Sequence, residues 1–194
     1  MRNLIYSVTA FVVCLIGLLA ITTFESDANV IEPEVVLPAV PLIVKTEPEV
    51  DWVAVDCLAL NLYHEARGDT FAGKFAVADV VMNRVNHRRF PSTVCEVVHQ
   101  AVIRKNWKGN LMPVRNQCQF SWYCDGLSDT PHDTEAWLEA RTIAYDFLED
   151  DIYRGITEGS THYHASYIEP NWVNDRGMQE IGMIGGHKFY RWNR

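Results

Sequence analysis

VAVDCLALNLYHEARGDTFAGKFAVADVVMNRV, residues 53–85, is the stretch whose periodicity decides the fold. Val55, Leu58, Ala59, Leu62, Tyr63 and Ala66 recur at three- and four-residue intervals, which predicts a helix over about 53–67 with one apolar face. Gly68 then reads as a left-handed stop. Asp69 or Thr70 can cap a second helix, whose stripe of Phe71, Phe75, Ala78, Met82 and Val85 is widened by Ala76, Val77, Val80 and Val81. Two apolar helices joined by so short a turn must bury their faces together, and they form the centre of the core.

Beyond them Pro91 breaks the run, and Thr93 with Glu96 has capping-box spacing for a third helix over 93–104. Residues 105–129 read as a long loop bearing aromatics and cysteines. Thr130-Pro131 opens a fourth helix, with Trp137, Ala140, Ala144 and Phe147 on its stripe and an end near Glu149. From Gly155 onward glycines punctuate short runs such as THYHA and HKFYRW, which read as strands. Helices followed by a small sheet imply an α+β fold.

The 194 residues are 48% hydrophobic and 22% charged, which fits one domain plus an appendage and excludes collagen, mucin and wholesale disorder. Net charge is −8, without a basic stripe for phosphates, so nucleic acid is not an expected partner. Leu4–Phe24 contains no charge and is long enough for a helix to cross a bilayer. Arg2 precedes it and Glu25, Asp27, Glu32 and Glu34 follow, so residues 1–24 read as a transmembrane signal-anchor with the remainder outside the cytoplasm. Ser26-Asp27-Ala28 offers the competing outcome of signal-peptidase cleavage after Ala28. Residues 25–52 carry Pro33, Pro38, Pro41 and Pro48 among acids, the composition of an extended tether. The domain proper is expected over 53–194.

Cys57, Cys95, Cys118 and Cys124 lie beyond the apolar segment, an even set that in a translocated chain reads as two disulfides with three possible connectivities. Cys118 and Cys124 are close enough to close a small loop, leaving Cys57 with Cys95. Four thiolates on one zinc is the alternative, although no C-x-x-C pair is present.

Three groups carry chemistry. Glu65, at the end of an apolar helix beside a turn, is placed for partial desolvation, which raises a carboxyl pKa and suits a general acid. A surface glutamate pairing with Arg67 or Lys74 is the plainer reading. His162, His164 and His187 form the second group: residues two apart on a strand point the same way, so a zinc trio is conceivable, although no H-E-x-x-H occurs. Aromatics beside polar residues form the third, and such surfaces suit sugar rings; Trp122 and Trp172, in loops, are expected to meet ligand and Phe189 to be core.

LYHEARGDTFAGKFAVADVVMNRVNHRRFPSTVCEVVHQ (62–100), CQFSWYCDG (118–126), THYHASYIEPNW (161–172) and IGGHKFY (184–190) together resemble the cell wall hydrolase family typified by the spore cortex-lytic enzyme SleB. The resemblance covers about residues 55–192. It implies a catalytic domain like those of the lysozyme and lytic transglycosylase superfamily, cutting peptidoglycan glycan strands between N-acetylmuramic acid and N-acetylglucosamine. It implies that Glu65, in EARG, is the acid/base. It implies a sugar cleft drawn from Gln119, Phe120, Ser121, Trp122, Tyr163, His164 and Trp172. It also favours disulfides over zinc, with no metal and no cofactor. Two departures stand out: Asp69 replaces the Glu that many members carry after EARG, where a capping role tolerates either, and RKNWKGN makes the loop before Cys118 basic.

One carboxyl suffices for this chemistry if the sugar's own C6 hydroxyl attacks, giving a 1,6-anhydro product. Attack by water needs a partner acid, for which Asp125 and Glu169 are the best candidates. A zinc amidase or peptidase on the peptide stem and a non-catalytic peptidoglycan-binding module remain as rivals, and a host remodelling enzyme and a phage lysin fit equally well.

Overall fold

A computed structural model describes residues 49–193. The expected apolar span at Leu4–Phe24 and nearly all of the tether lie outside the described residues. Among those described, no helix is long and apolar enough to cross a membrane.

The first helix, α1 (Trp52–Ala66), starts where Asp51 accepts a hydrogen bond from the Ala54 amide at 3.0 Å. All six residues of its predicted stripe are buried. Gly68 is not in the left-handed region; the helix stops through a right-handed Arg67 and a turn in which the Asp69 amide bonds the Ala66 carbonyl. Helix α2 (Phe71–Val85) is capped by Thr70, whose Oγ1 accepts from the Gly73 amide at 3.1 Å. Its buried set runs unbroken from Gly73 to Val81, because α2 sits between α1 and the later sheet and so is covered on most sides. Phe71, at the start of its stripe, is instead half exposed and packs its edge on Phe75 and Tyr153.

The third helix is shorter than its capping signal suggests. Thr93 Oγ1 accepts from the Glu96 amide at 3.3 Å and donates to the Glu96 carboxylate at 2.9 Å, but α3 is only Val94–Val98. The chain then becomes strand β1 (Ala101–Lys105), antiparallel to β2 (Leu111–Cys118), so part of the expected helix and loop is a hairpin. A single 3₁₀ turn, Ser121–Cys124, follows. Helix α4 (Thr134–Glu149) is capped by Asp133 rather than Thr130, and Ala140, Ile143, Ala144 and Phe147 press it on α1.

The carboxyl-terminal third forms the expected small sheet, β3 (His162–Ala165), β4 (Met178–Ile184) and β5 (His187–Trp192), antiparallel in the order β3-β5-β4. Tyr163 opposes Phe189 and Ala165 opposes His187, so these four share one face, while His162, His164 and Tyr190 share the other. Phe189 is fully buried against Ala76 and Val80 of α2, which seats the first face on the helices.

Disulfides join Cys57 to Cys95 and Cys118 to Cys124. The first ties α1 to α3. The second closes a loop of sequence separation 6. Replacing Cys118 and Cys124 by serine is expected to cost about 2 kcal/mol from loop-closure entropy, read as a lower denaturant midpoint.

Candidate active site

Helix α1 presents Glu65 at the edge of its buried stripe, one residue before the core-facing Ala66, so the carboxyl is half-buried rather than solvated. Tyr163, from the inward face of β3, donates its hydroxyl to Glu65 Oε2 at 3.1 Å. Burial pushes the Glu65 carboxyl above its ordinary range. The Tyr163 hydrogen bond and the nearby His187, Arg84 and His64 pull it part of the way back. The Tyr163 phenol is itself held protonated, first by burial and then by the charge of Glu65, so it stays a donor.

Two clefts meet at Glu65. One, of about 440 Å³, is lined by Glu65, Arg84, Gln119, Phe120, Ser121 and Tyr163. The other, of about 530 Å³, is lined by Glu65, Gly68, Asp69, Tyr167, Gly186 and His187. A carboxyl with a cleft on either side can serve a chain that passes across it.

Arg84 forms the floor of the first cleft. Its Nε donates to the Thr161 carbonyl at 2.8 Å, its guanidinium lies over the Phe90 and Phe120 rings, and its buried Nη1 has no partner. Asn83 reaches the same segment, donating to Thr157 Oγ1 and the Ser160 carbonyl, each at 3.0 Å. Asn83 and Arg84, in the N-R-V run, therefore dock the segment leading into β3.

Asp69 clamps the second cleft. Its oxygens accept from the Thr70 amide, from the Gly186 amide at 2.9 and 3.0 Å, and from His187 Nδ1 at 2.9 Å. Burial would raise this carboxyl, but those donors hold it below its ordinary range. The tight approach explains Gly185: at φ +59° a Cβ there would sit 2.2 Å from Asp69 Oδ1. Asp69 is thus a clamp on the β4–β5 turn rather than the cap of α2.

The other expected site residues divide. Gln119 and Ser121 are exposed and line the first cleft. Phe120 is 2% exposed and contributes only its buried ring to the cleft wall. Trp122, expected in a loop against ligand, is 6% exposed; its Nε1 donates to Asn61 and its ring stacks on His64. The alternation of the segment sends the polar pair outward and the aromatic pair to the core. His164 lies on the outer face of the sheet, buried against Tyr190, and Trp172 packs there against His162, His164 and Tyr190, away from the face that carries Tyr163. Asp125 accepts from the Leu127 amide and, like Glu169, lines neither cleft.

The zinc trio is not assembled. His187 is on the inward face and His162 and His164 are on the outward one. His162 is held neutral, its pKa pushed down to about 4 by burial and by Arg84, Arg89 and His87. Among the described residues no group of His, Cys, Asp or Glu has the geometry to hold a metal ion.

The spore cortex-lytic enzyme of Oceanobacillus iheyensis is 41% identical over 140 residues, which are 70% of this chain and 40% of that one. The spore cortex-lytic enzyme of Halalkalibacterium halodurans is 28% identical over 137 residues, 70% of this chain and 34% of that one. The chain thus spans well under half the length of these curated relatives. The fold is shared with the catalytic domain of the germination-specific lytic transglycosylase SleB from Bacillus anthracis, at TM-score 0.53 and 23% identity over 75% of this chain and 99% of that one. The sequence pattern described as Cell Wall Hydrolase matches residues 68–190, from the turn just after Glu65 to the last strand. On that match the chain belongs to the cell wall hydrolase family.

Proposed function

We propose that this protein cleaves peptidoglycan glycan strands between N-acetylmuramic acid and N-acetylglucosamine as a lytic transglycosylase, with Glu65 as its single acid/base. The observation that carries the reading is a desolvated carboxyl, hydrogen-bonded by a phenol, at the junction of two clefts. Protonated Glu65 gives its proton to the glycosidic oxygen as the bond to C1 breaks. The carboxylate that remains takes the proton of the C6 hydroxyl as that oxygen closes on the oxocarbenium-like C1. Gln119 and Ser121 supply polar contacts for hydroxyl and acetamide groups.

Asp69, the other carboxylate lining the clefts, favours this route over hydrolysis. Three donors already engage both Asp69 oxygens, the Thr70 amide, the Gly186 amide shared between them and His187. Those donors hold the carboxyl below its ordinary range, which makes it a poor base for activating water. Incubating the full chain with purified sacculi is expected to release soluble muropeptides, undiminished by a chelator. Binding without release, or chelator-sensitive cleavage of the peptide stem, would overturn the proposal.

Tyr163→Phe is expected to slow turnover and to move the alkaline limb of the pH–rate profile to higher pH. The lost hydrogen bond favours the ionised carboxylate, so without it Glu65 stays protonated further up the scale. A limb that stays put or moves down would contradict the role given to Tyr163.

The uncharged run Leu4–Phe24 and its flanking charges support a membrane anchor holding this domain outside the cytoplasm. A cut after Lys45, where the compact unit Thr46–Arg194 begins, is expected to leave activity on isolated sacculi within about twofold of the full chain and to abolish the membrane fractionation that survives a high-salt wash. Salt-resistant fractionation of the truncated chain would count against the amino-terminal anchor.

A further inference from the structure

The hairpin β1–β2 leaves apolar side chains in water. Val102, Ile103, Leu111 and Met112 are about half exposed or more, and Trp107 at the tip is 89% exposed. The register pairs Lys105 with Leu111 and Arg104 with Met112, so each face sets a cation beside an aliphatic side chain. Its turn is closed on itself: Asn106 Oδ1 accepts from the Lys108 and Asn110 amides, each at 2.9 Å, and Gly109 adopts φ +82°. Trp107 projects from that turn, with Lys108 Nζ 4.7 Å from its ring.

Charge singles out the same element. In a chain of net charge −8, residues 97–124 contain Arg104, Lys105, Lys108 and Arg115 and no acid. Among the described residues none of these four meets a carboxylate. Cations attract phosphates, tryptophan settles at headgroup depth, and aliphatic side chains seek acyl chains. An anionic polysaccharide or polyphosphate would leave Ile103, Leu111 and Met112 wet.

We propose that the β1–β2 hairpin docks on the surface of an anionic phospholipid bilayer, with Trp107 and its aliphatic neighbours at the headgroup boundary and the four cations on lipid phosphates. The acidic remainder of the chain is repelled by that surface, so the hairpin leads the approach. This holds whether or not the amino-terminal segment is retained.

The test uses the full chain with vesicles of brominated phosphatidylcholine, alone or with brominated phosphatidylglycerol, and reads tryptophan quenching. With phosphatidylglycerol present, wild type is expected to show a quenched component that Trp107→Phe lacks. Lys105→Glu with Lys108→Glu should reduce it severalfold, as should high salt. All these side chains are exposed, so retained activity on sacculi reports an intact fold. Identical quenching of wild type and Trp107→Phe in both lipids would overturn the proposal. So would hairpin-dependent binding to an anionic wall polymer with no lipid quenching.

Discussion

Glu65→Gln is expected to stop muropeptide release, lowering the rate on the order of 10³-fold or more, while leaving the fold intact. The amide is isosteric and its oxygen can still accept the Tyr163 hydroxyl, so packing and the hydrogen bond survive. What is lost is the proton. The stability consequence has a definite sign. Burial raises the Glu65 pKa in the folded state, so the folded protein binds a proton more tightly than the unfolded chain does, and ionisation at neutral pH works against folding. Glutamine escapes that cost, and Tm at neutral pH should be unchanged or higher. Chemistry at this position thus works against stability, as expected for a tuned acid. A variant that keeps substantial activity would remove Glu65 from the mechanism; if that activity were also abolished by a chelator, it would point to a metal-dependent enzyme.

Asp79→Ala is expected to cost about 4 kcal/mol and to take activity with it. Asp79 is 2% exposed on α2 and accepts hydrogen bonds from the Gly155 amide, the Thr157 amide, Thr157 Oγ1 and Asn83 Nδ2. Removing one buried acceptor strands several donors at once, each costing about 1–3 kcal/mol when water cannot reach it. Thr157 is fully buried, so its amide and hydroxyl have no solvent to turn to. For a domain of this size the loss should lower Tm by about 10 °C or more. The functional consequence follows from connectivity: the segment held by Asp79, Asn83 and Arg84 leads directly into β3, which carries Tyr163 to Glu65. A Tm shift under about 2 °C would contradict this account of how β3 is docked.

Sequence periodicity was most informative where burial is one-sided. The stripe on α1 is legible residue by residue because that helix has one core face and one wet face. On α2 the same reasoning places Phe71 inside, whereas the sheet and α1 cover the helix further along and leave its first turn at the edge. The β1–β2 hairpin is missed because Thr93 and Glu96 do start a helix, and Ala-Val-Ile in so short a run does not distinguish strand from helix. What decides it is the partner strand at 111–118, while the Asn106 to Asn110 turn carries the hairpin signal.

The site follows the same logic. The partial burial of Glu65 follows from its position at the end of an apolar helix, whereas the acid/base role proposed for it rests on the resemblance carried by EARG. Its partner Tyr163, 98 residues away, is not, because that contact is made by the docking of β3. Asp69 looks like a helix cap and is a clamp, since the glycines that receive it lie 116 and 117 residues further on, at the β4–β5 turn. Of the aromatics expected near sugar, Phe120 and Trp122 are buried, and Gln119 and Ser121 line the cleft beside Tyr163 and the wall that Phe120 provides.

The most direct test of a single carboxyl serving as acid and then base is digestion of purified sacculi by the full chain in H₂¹⁸O, followed by mass spectrometry of the released muropeptides. Intramolecular attack predicts muramic ends lighter by one water than the hydrolysed form and free of ¹⁸O. Reducing muramic ends carrying the label at C1 would show that water is the nucleophile, and would contradict the mechanism.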